Sequence, residues 1–486
     1  MDYETVIGLE VHVQLKTQSK MFCSCRADYQ TAPANSRVCP VCLGLPGTLP
    51  VINKKAVEFT IMMGLALGCE IPSLTKFDRK NYPYPDLMKG YQISQFDMPL
   101  AMNGQLDITT DGQDRCVRVE RVHLEEDVSK LQHVNGGNSD AHSLVDVNRS
   151  GVPLMEVVSH PDMRTPDEAR SYLTKLHSII QYLGVSTANA QDGSFRCDAN
   201  ISLRPVGQEE YGTKAEIKNM NSLRSVFLAL NHEEERQRKV LESGERVIQE
   251  TRGWSEERNA TYSQRSKEEA HDYRYFPDPD LVPLKISDEW IDRIRTRLPE
   301  LPEARQNRYI NRLGLNQKDA ASIVDEPKRC DFFEQVLEAG VEPNRAAAML
   351  LNYGARYANE RGRDVADLGI TATQIKQIAD LSSAEMIGST AAGELFAYCC
   401  DEPARSAQEL AEAHNLLQVS ETSALEGYVD QALTEAKNEK AVADIKAGKD
   451  KAIGALIGQV MKRSKGKANP KVVGELIRGK IRSTSG

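Results

Sequence analysis

Four cysteines crowd into twenty residues, as Cys23-Ser24-Cys25 and Cys39-Pro40-Val41-Cys42, a C-x-C and a C-x-x-C with thirteen residues between them. Short cysteine pairs joined by a loop suit tetrahedral Zn²⁺, because each pair sets two thiolates on one side of the ion. Pro33, Asn35, Gly44 and Gly47, in and beside the pairs, are compatible with knuckle turns. Four protein ligands leave no open position, so the spacing predicts one structural zinc on Cys23, Cys25, Cys39 and Cys42. The competing readings are four ordinary thiols or a redox C-x-x-C. The other six cysteines are scattered, and no disulfide framework is expected.

A second constellation is acidic. Glu10 and His12 sit at i and i+2 of an alternating stretch, so they share one strand face. Glu125 lies in a polar cluster with His123, Glu126 and Asp127, and Asp192-Gly193-Ser194 is a turn before a strand that starts at Phe195. Glu216 stands between Lys214 and Lys218 on a polar strand face. Each alone reads as a solvated face. Several carboxylates and one imidazole together suit a hard cation such as Mg²⁺ holding phosphate oxygens during phosphoryl transfer. Lys76, Arg79, Lys80 and Lys89 flank the aromatic, proline-rich run Asn81-Tyr82-Pro83-Tyr84-Pro85-Asp86-Leu87, where basic groups suit a phosphate or an RNA backbone. There is no G-x-x-x-x-G-K-[ST], no G-x-G-x-x-G and no G-x-S-x-G, nor a Gly/Ser-rich amidase signature. A reaction that used ammonia would need another protein to release it.

The elements that must position these groups are legible in outline. Val6 to Leu15 alternates strictly, and Val117 to Val128 does so with a phase slip at Glu120-Arg121 that suggests a bulge. Phe195 to Leu203 and Thr213 to Lys218 alternate again, while Ala56 to Gly68, Asp167 to Leu183 and Ser222 to Glu242 have helical spacing. Pro277-Asp278-Pro279-Asp280-Leu281-Val282-Pro283 reads as a domain exit, after which only helical patterns such as Arg345 to Asn359 follow. The expected architecture is α+β: a strand-rich domain over 1–290, an all-helical domain over 291–405 and a small helical tail over 406–486. The chain of 486 residues carries a net charge of −9, so RNA contact would need a local basic patch. The tail offers one: Lys451 to Gly486 holds nine Lys or Arg against the single Glu475. With neither a signal-peptide pattern nor an apolar run long enough to span a membrane, the cytoplasm is the expected compartment.

Longer motifs resemble a known family. Asp146-Val147-Asn148-Arg149-Ser150-Gly151-Val152-Pro153-Leu154-Met155-Glu156-Val157 looks like the signature of the B subunits of bacterial aspartyl/glutamyl-tRNA amidotransferases, with Val147 where an aromatic is expected. Ile7 to Leu15, Cys39 to Gly47, Lys80 to Gln95, Lys214 to Ser222, His271 to Pro277, Gly458 to Met461 and Gly466 to Pro470 resemble further segments of that family, so the likeness spans the chain. The resemblance implies a cradle-shaped N-terminal domain, a helical domain and a tail that contacts tRNA. It implies an amidase (A) subunit and a small C subunit as partners in a heterotrimer. The activity it implies is a ligase reaction. ATP and Mg²⁺ phosphorylate the side-chain carboxylate of a misacylated Glu-tRNA or Asp-tRNA, and ammonia from the amidase displaces the phosphate. Carried over by position, Glu10, His12, Glu125, Asp192 and Glu216 are the magnesium candidates, and these five with Lys89 are the catalytic candidates. Lys89 and Glu125 are the candidates for contact with the nucleotide, and Lys462, Arg463, Lys465, Lys467 and Lys471 those for the tRNA backbone.

Overall fold

The computed structural model describes residues 2–134, 142–266, 273–418, 422–435, 438–446, 452–464 and 468–483. It divides into two compact units, Met1–Pro302 and Glu303–Gly486.

The strands that matter for the site are β1 (Tyr3–Gln14), β2 (Asp78–Asn81), β3 (Tyr91–Ser94), β4 (Ala101–Thr110), β5 (Gln113–Glu126), β6 (Pro153–Ser159), β7 (Phe195–Pro205), β8 (Ala215–Met220), β9 (Glu250–Ser255), β10 (Ala260–Ser266) and β11 (Phe276–Pro277). Eight of them form one sheet in the order β10-β9-β8-β7-β1-β6-β5-β4. Its ladders are antiparallel except for β8 with β9. The phase slip expected at Glu120-Arg121 is a register shift between Val119 and Arg121 where β5 meets β6. A small sheet, β11-β2-β3, carries the basic stretch around Lys80.

Period-two alternation divides the large sheet into two faces. Leu9, Val11, Val13, Met155, Val157, Ala199, Ile201 and Ile217 are buried in the core. The helices α1 (Lys54–Ala66), α2 (Pro166–Leu183) and α3 (Leu223–Glu242) pack on the sheet. Local chemistry fixes these helices. Thr165 caps the start of α2 with Pro166 at its first position, Gly184 ends it in the left-handed conformation, and Ser222 caps α3. The positions between the buried ones put Glu10, His12, Glu125, Glu156, Asp198 and Glu216 on the opposite face.

The second unit is helical. Pro343–Ala348, the π-helical Met349–Gly354 and Ala355–Arg361 follow one another, where sequence spacing shows one helix. Gly354 is required there, since a Cβ would run into Val365. Within this unit Leu425, Val429, Leu456, Val460, Val473 and Ile477 form a small buried cluster of their own. No described helix is long and apolar enough to cross a membrane.

Candidate active site

Strand register builds the site. His12 on β1 lies opposite Glu156 on β6 and opposite Arg196 on β7, and Glu156 in turn lies opposite His123 on β5. Directly paired residues point to the same face, so one row across four strands reads His123, Glu156, His12, Arg196. One step along, Glu10 lies opposite Asp198, and Asn200 opposite Glu216. The bulge between β7 and β8, with Asn219 at φ 64°, brings Lys218 over Asp198.

The side chains converge. Ligand atoms of His12, Glu125 and Glu156 all lie within 4.8 Å of one another. Glu156 Oε2 is 3.4 Å from His12 Nε2 and 3.3 Å from His123 Nε2, and Ser94 Oγ donates to Glu125 at 3.0 Å. Asn200 donates to Glu10 at 3.0 Å. Lys218 Nζ stands 2.5 Å from Asp198 and 2.9 Å from Glu216, whose other oxygen accepts from Thr251 at 2.9 Å. His12, Lys80, Glu125, Asp127, Arg196, Asp198 and Lys218 line one cavity of about 340 Å³.

Burial and charge act against each other throughout this face. Burial and the nearby Glu156 raise the Glu10 carboxyl above its ordinary range. Burial opposes ionisation of Glu156, but His123 and His12 outweigh it and hold that carboxyl well below its ordinary range. Burial works against protonated His123 too, and Glu156 and Glu125 overcome it, pushing the imidazole up to about 9. Asp127 is a separate anchor: it binds Arg196 at 2.9 Å and Gln14 at 2.6 Å.

The donor set fits a hard divalent cation. Carboxylate oxygens from β5 and β6 meet an imidazole from β1, and Glu10, Asp198 and Glu216 stand beside them on neighbouring strands. Glu10, His12, Glu125 and Glu216 therefore share one face. Asp192 does not join it. Its exposed carboxylate accepts from Ser194 N at 2.9 Å and shapes the turn before β7. Lys89 is also elsewhere. It pairs with Glu126 at 2.6 Å in a different cavity, lined by Phe22, Cys23, Cys42 and Tyr91. Adjacent residues on β5 point to opposite faces, so Glu125 enters the site while Glu126 holds Lys89 away from it.

Sequence reasoning left out Glu156, Asp198, Asn200 and the roles of His123 and Lys218. Glu156 did carry a signal. It is the one acid in Pro153–Ser159, a strand buried along its whole length, where an ionised side chain needs partners.

The cysteine cluster is a second centre. The sulfurs of Cys23, Cys25, Cys39 and Cys42 lie within 4.8 Å of one another, with Cys39 and Cys42 3.9 Å apart. Zn–S bonds of about 2.3 Å put tetrahedral sulfurs about 3.8 Å apart, so the spacing fits. The Cys23 thiol, hydrogen-bonded to the Cys42 sulfur, pulls that sulfur below the ordinary thiol range. Gly44, at φ +69°, closes the knuckle where a Cβ would press on Lys89.

Of the tail residues, Lys462 is exposed, Arg463 pairs with Glu435, and Lys471 lies 3.3 Å from Glu385. Lys465 and Lys467 lie outside the described residues.

Residues 5–292 match the family described as the GatB/GatE catalytic domain, and residues 331–481 match the GatB domain. The chain belongs to the GatB/GatE family. Among its relatives is the B subunit of the aspartyl/glutamyl-tRNA(Asn/Gln) amidotransferase of Dehalococcoides mccartyi strain CBDB1, 52% identical over 98% of both chains. The protein of the same name from Carboxydothermus hydrogenoformans is 48% identical over 99% of both, and that from Brevibacillus brevis 50% over 99% of both. The catalytic-domain match contains the entire candidate site and the cysteine cluster.

Proposed function

We propose that this GatB/GatE-family chain is the component of a tRNA-dependent amidotransferase that activates the side-chain carboxylate of Glu-tRNA(Gln), Asp-tRNA(Asn) or both. ATP phosphorylates that carboxylate, and ammonia displaces the phosphate to give the amide. The observation that carries this reading is the convergence of His12, Glu125 and Glu156 on the sheet face that holds Glu10, Asp198 and Glu216, where His12, Glu125 and Asp198 line a cavity together with Lys80 and Lys218. A carboxylate is a poor acyl donor, and phosphorylation supplies its leaving group, so the task is positioning and charge stabilisation.

His12, Glu125 and Glu156 would hold Mg²⁺, with Glu10 and Glu216 adjacent. A bound Mg²⁺ would gather phosphate oxygens and offset their charge. Lys80, held over the Tyr273 ring at 4.8 Å, presents an ammonium to the same cavity. Neighbouring Glu125 keeps it protonated against burial. Lys89, bound to Glu126, supports the wall behind this face. Cys23, Cys25, Cys39 and Cys42 would hold a structural Zn²⁺. We assign the chemistry to residues 1–290, and tRNA backbone contact to the tail from about 406, through Lys462 and its basic neighbours.

An amidase is a proposed partner because no amidase nucleophile motif is present in this chain, and a small third protein is proposed with it on the family resemblance, the relatives being named as B subunits. The test is co-purification followed by amidation of Glu-tRNA with ATP and either glutamine or ammonium. The complex should use both donors, and the chain without its partners should not hydrolyse glutamine. Glutamine hydrolysis by the isolated chain would reverse this division of labour.

A further inference from the structure

Three cations among the described residues, Lys80, Arg196 and Lys218, line the cavity, and their partners differ. Arg196 is fixed on Asp127 at 2.9 Å, and Lys80 lies over the Tyr273 ring at 4.8 Å. Lys218 alone of the three bridges two carboxylates of the metal-type face, at 2.5 Å from Asp198 on β7 and 2.9 Å from Glu216 on β8. Its side chain is one-third exposed, so the ammonium stands at the cavity wall rather than sealed beneath it. Thr251 on β9 takes up the other Glu216 oxygen, which leaves that carboxylate held from both sides.

The charge inventory gives this bridge its meaning. Glu10, Glu125, Glu156, Asp198 and Glu216 outnumber His12, His123 and Lys218 among the described groups of this face, so the balance attracts a divalent cation and repels phosphate. A nucleotide must nevertheless bring several negative charges onto it. Any fixed positive charge on this face weakens the cation and strengthens the phosphate by the same Coulomb interaction.

We propose that Lys218 is a positioning residue that sets this balance. By neutralising part of the Asp198–Glu216 pair, it makes the cavity accept a metal-bound polyphosphate instead of retaining the bare divalent ion. The inference rests on the reading of the site given under Proposed function. Its signature is a pair of effects with opposite sign. A purely structural clamp, once cut, would let Asp198 and Glu216 splay and would weaken metal and nucleotide together. Loss of a charge regulator tightens one and weakens the other.

The experiment uses the full chain with its co-purifying partners and compares Lys218→Met, Lys218→Gln, Lys218→Arg and His12→Ala. Mn²⁺ binding is read without nucleotide from the electron paramagnetic resonance signal of the free ion. The KM for ATP is read at saturating Mg²⁺. The two neutral variants should bind Mn²⁺ about tenfold more tightly and show a KM for ATP about tenfold higher, as expected for one charge near the site at intermediate dielectric. Lys218→Arg should stay close to the parent on both readouts. Two neutral substitutions are used so that a folded one is available.

Joint weakening of Mn²⁺ and ATP in the neutral variants, or changes under threefold in both, would overturn the proposal. The His12→Ala control separates that failure from failure of the site reading. If His12→Ala binds Mn²⁺ like the parent, the metal-site reading is wrong and the proposal falls with it. If His12→Ala loses Mn²⁺ while the Lys218 variants behave like the parent, only the role given to Lys218 is wrong.

Discussion

The sulfur cluster takes all four of its candidate ligands from Cys23–Cys42, a loop between β1 and α1. The oxygen and nitrogen cluster takes His12, Glu125 and Glu156 from three strands, with Glu10, Asp198 and Glu216 reaching it from β1, β7 and β8. The first has almost no regular structure to hold it, so its ligand geometry and its fold depend on each other. The second is held by ladder hydrogen bonds and by a buried apolar face beneath it, which persist whatever sits on the polar face. With zinc bound as proposed, one centre would be part of what folds the N-terminal unit, and the other would be carried by a fold that stands without it. Loss of ligands should damage stability in the first case and chemistry in the second.

The largest effect should come from His12→Ala in the assembled complex. Amidation with ammonium should fall by about a thousandfold or more, because the substitution removes a proposed metal ligand. Glutamine hydrolysis by the partner should survive, and the thermal midpoint should stay close to the parent value. A large drop in midpoint would make His12 a structural residue and erase the contrast between the two centres.

Cys39→Ser combined with Cys42→Ser should behave in the opposite way. Metal analysis should show one zinc per chain in the parent and none in the variant, and thermal unfolding of the N-terminal unit should begin several degrees lower. Parent protein purified without zinc, or an unchanged midpoint, would break this half of the comparison.

The tail provides a contrast of charge without ligands. Lys462→Glu with Lys471→Glu should raise the KM for aminoacyl-tRNA about tenfold. It should lower the salt slope of tRNA binding by about one to two, with turnover at saturating tRNA retained. An unchanged salt slope would mean that these lysines only decorate a packed helical module.

The smallest effect should come from Asp192→Ala. The lost acceptor for Ser194 N costs about 1 kcal/mol of stability. Activity should stay within about threefold of the parent. A deep loss of Mn²⁺ binding in this variant would return Asp192 to the metal site.

These differences also explain how much could be read in advance. The knuckle was legible because its ligands lie within one short segment, where spacing alone limits the geometry. Strand β1 was legible because Leu9, Val11 and Val13 alternate with Glu10 and His12. Alternation assigns a face but not a partner, so nothing in β1 indicates that Glu156 lies opposite His12 or that Asp198 lies opposite Glu10. Those pairings are set by sheet order, which joins β1 to β7 and β6 across long stretches of chain. Family position puts Asp192 with the metal candidates, while its local Asp-Gly-Ser chemistry describes a turn. Strands β9 and β10 give little signal in the sequence because Glu250–Ser255 and Ala260–Ser266 are short and mostly polar. Yet β9 supplies the Thr251 hydroxyl that fixes Glu216.

The most direct test of the central claim is to trap the activated carboxylate. The complex is incubated with Glu-tRNA, Mg²⁺ and γ-labelled ATP, with hydroxylamine in place of glutamine and ammonium. Labelled phosphate release and the side-chain γ-hydroxamate, resolved from the α-hydroxamate that hydroxylamine forms directly from the aminoacyl ester, should appear together, both should require Glu-tRNA, and both should vanish in His12→Ala. γ-Hydroxamate at undiminished rate in His12→Ala, or its formation without ATP, would contradict the assignment of carboxylate activation to this face of the sheet.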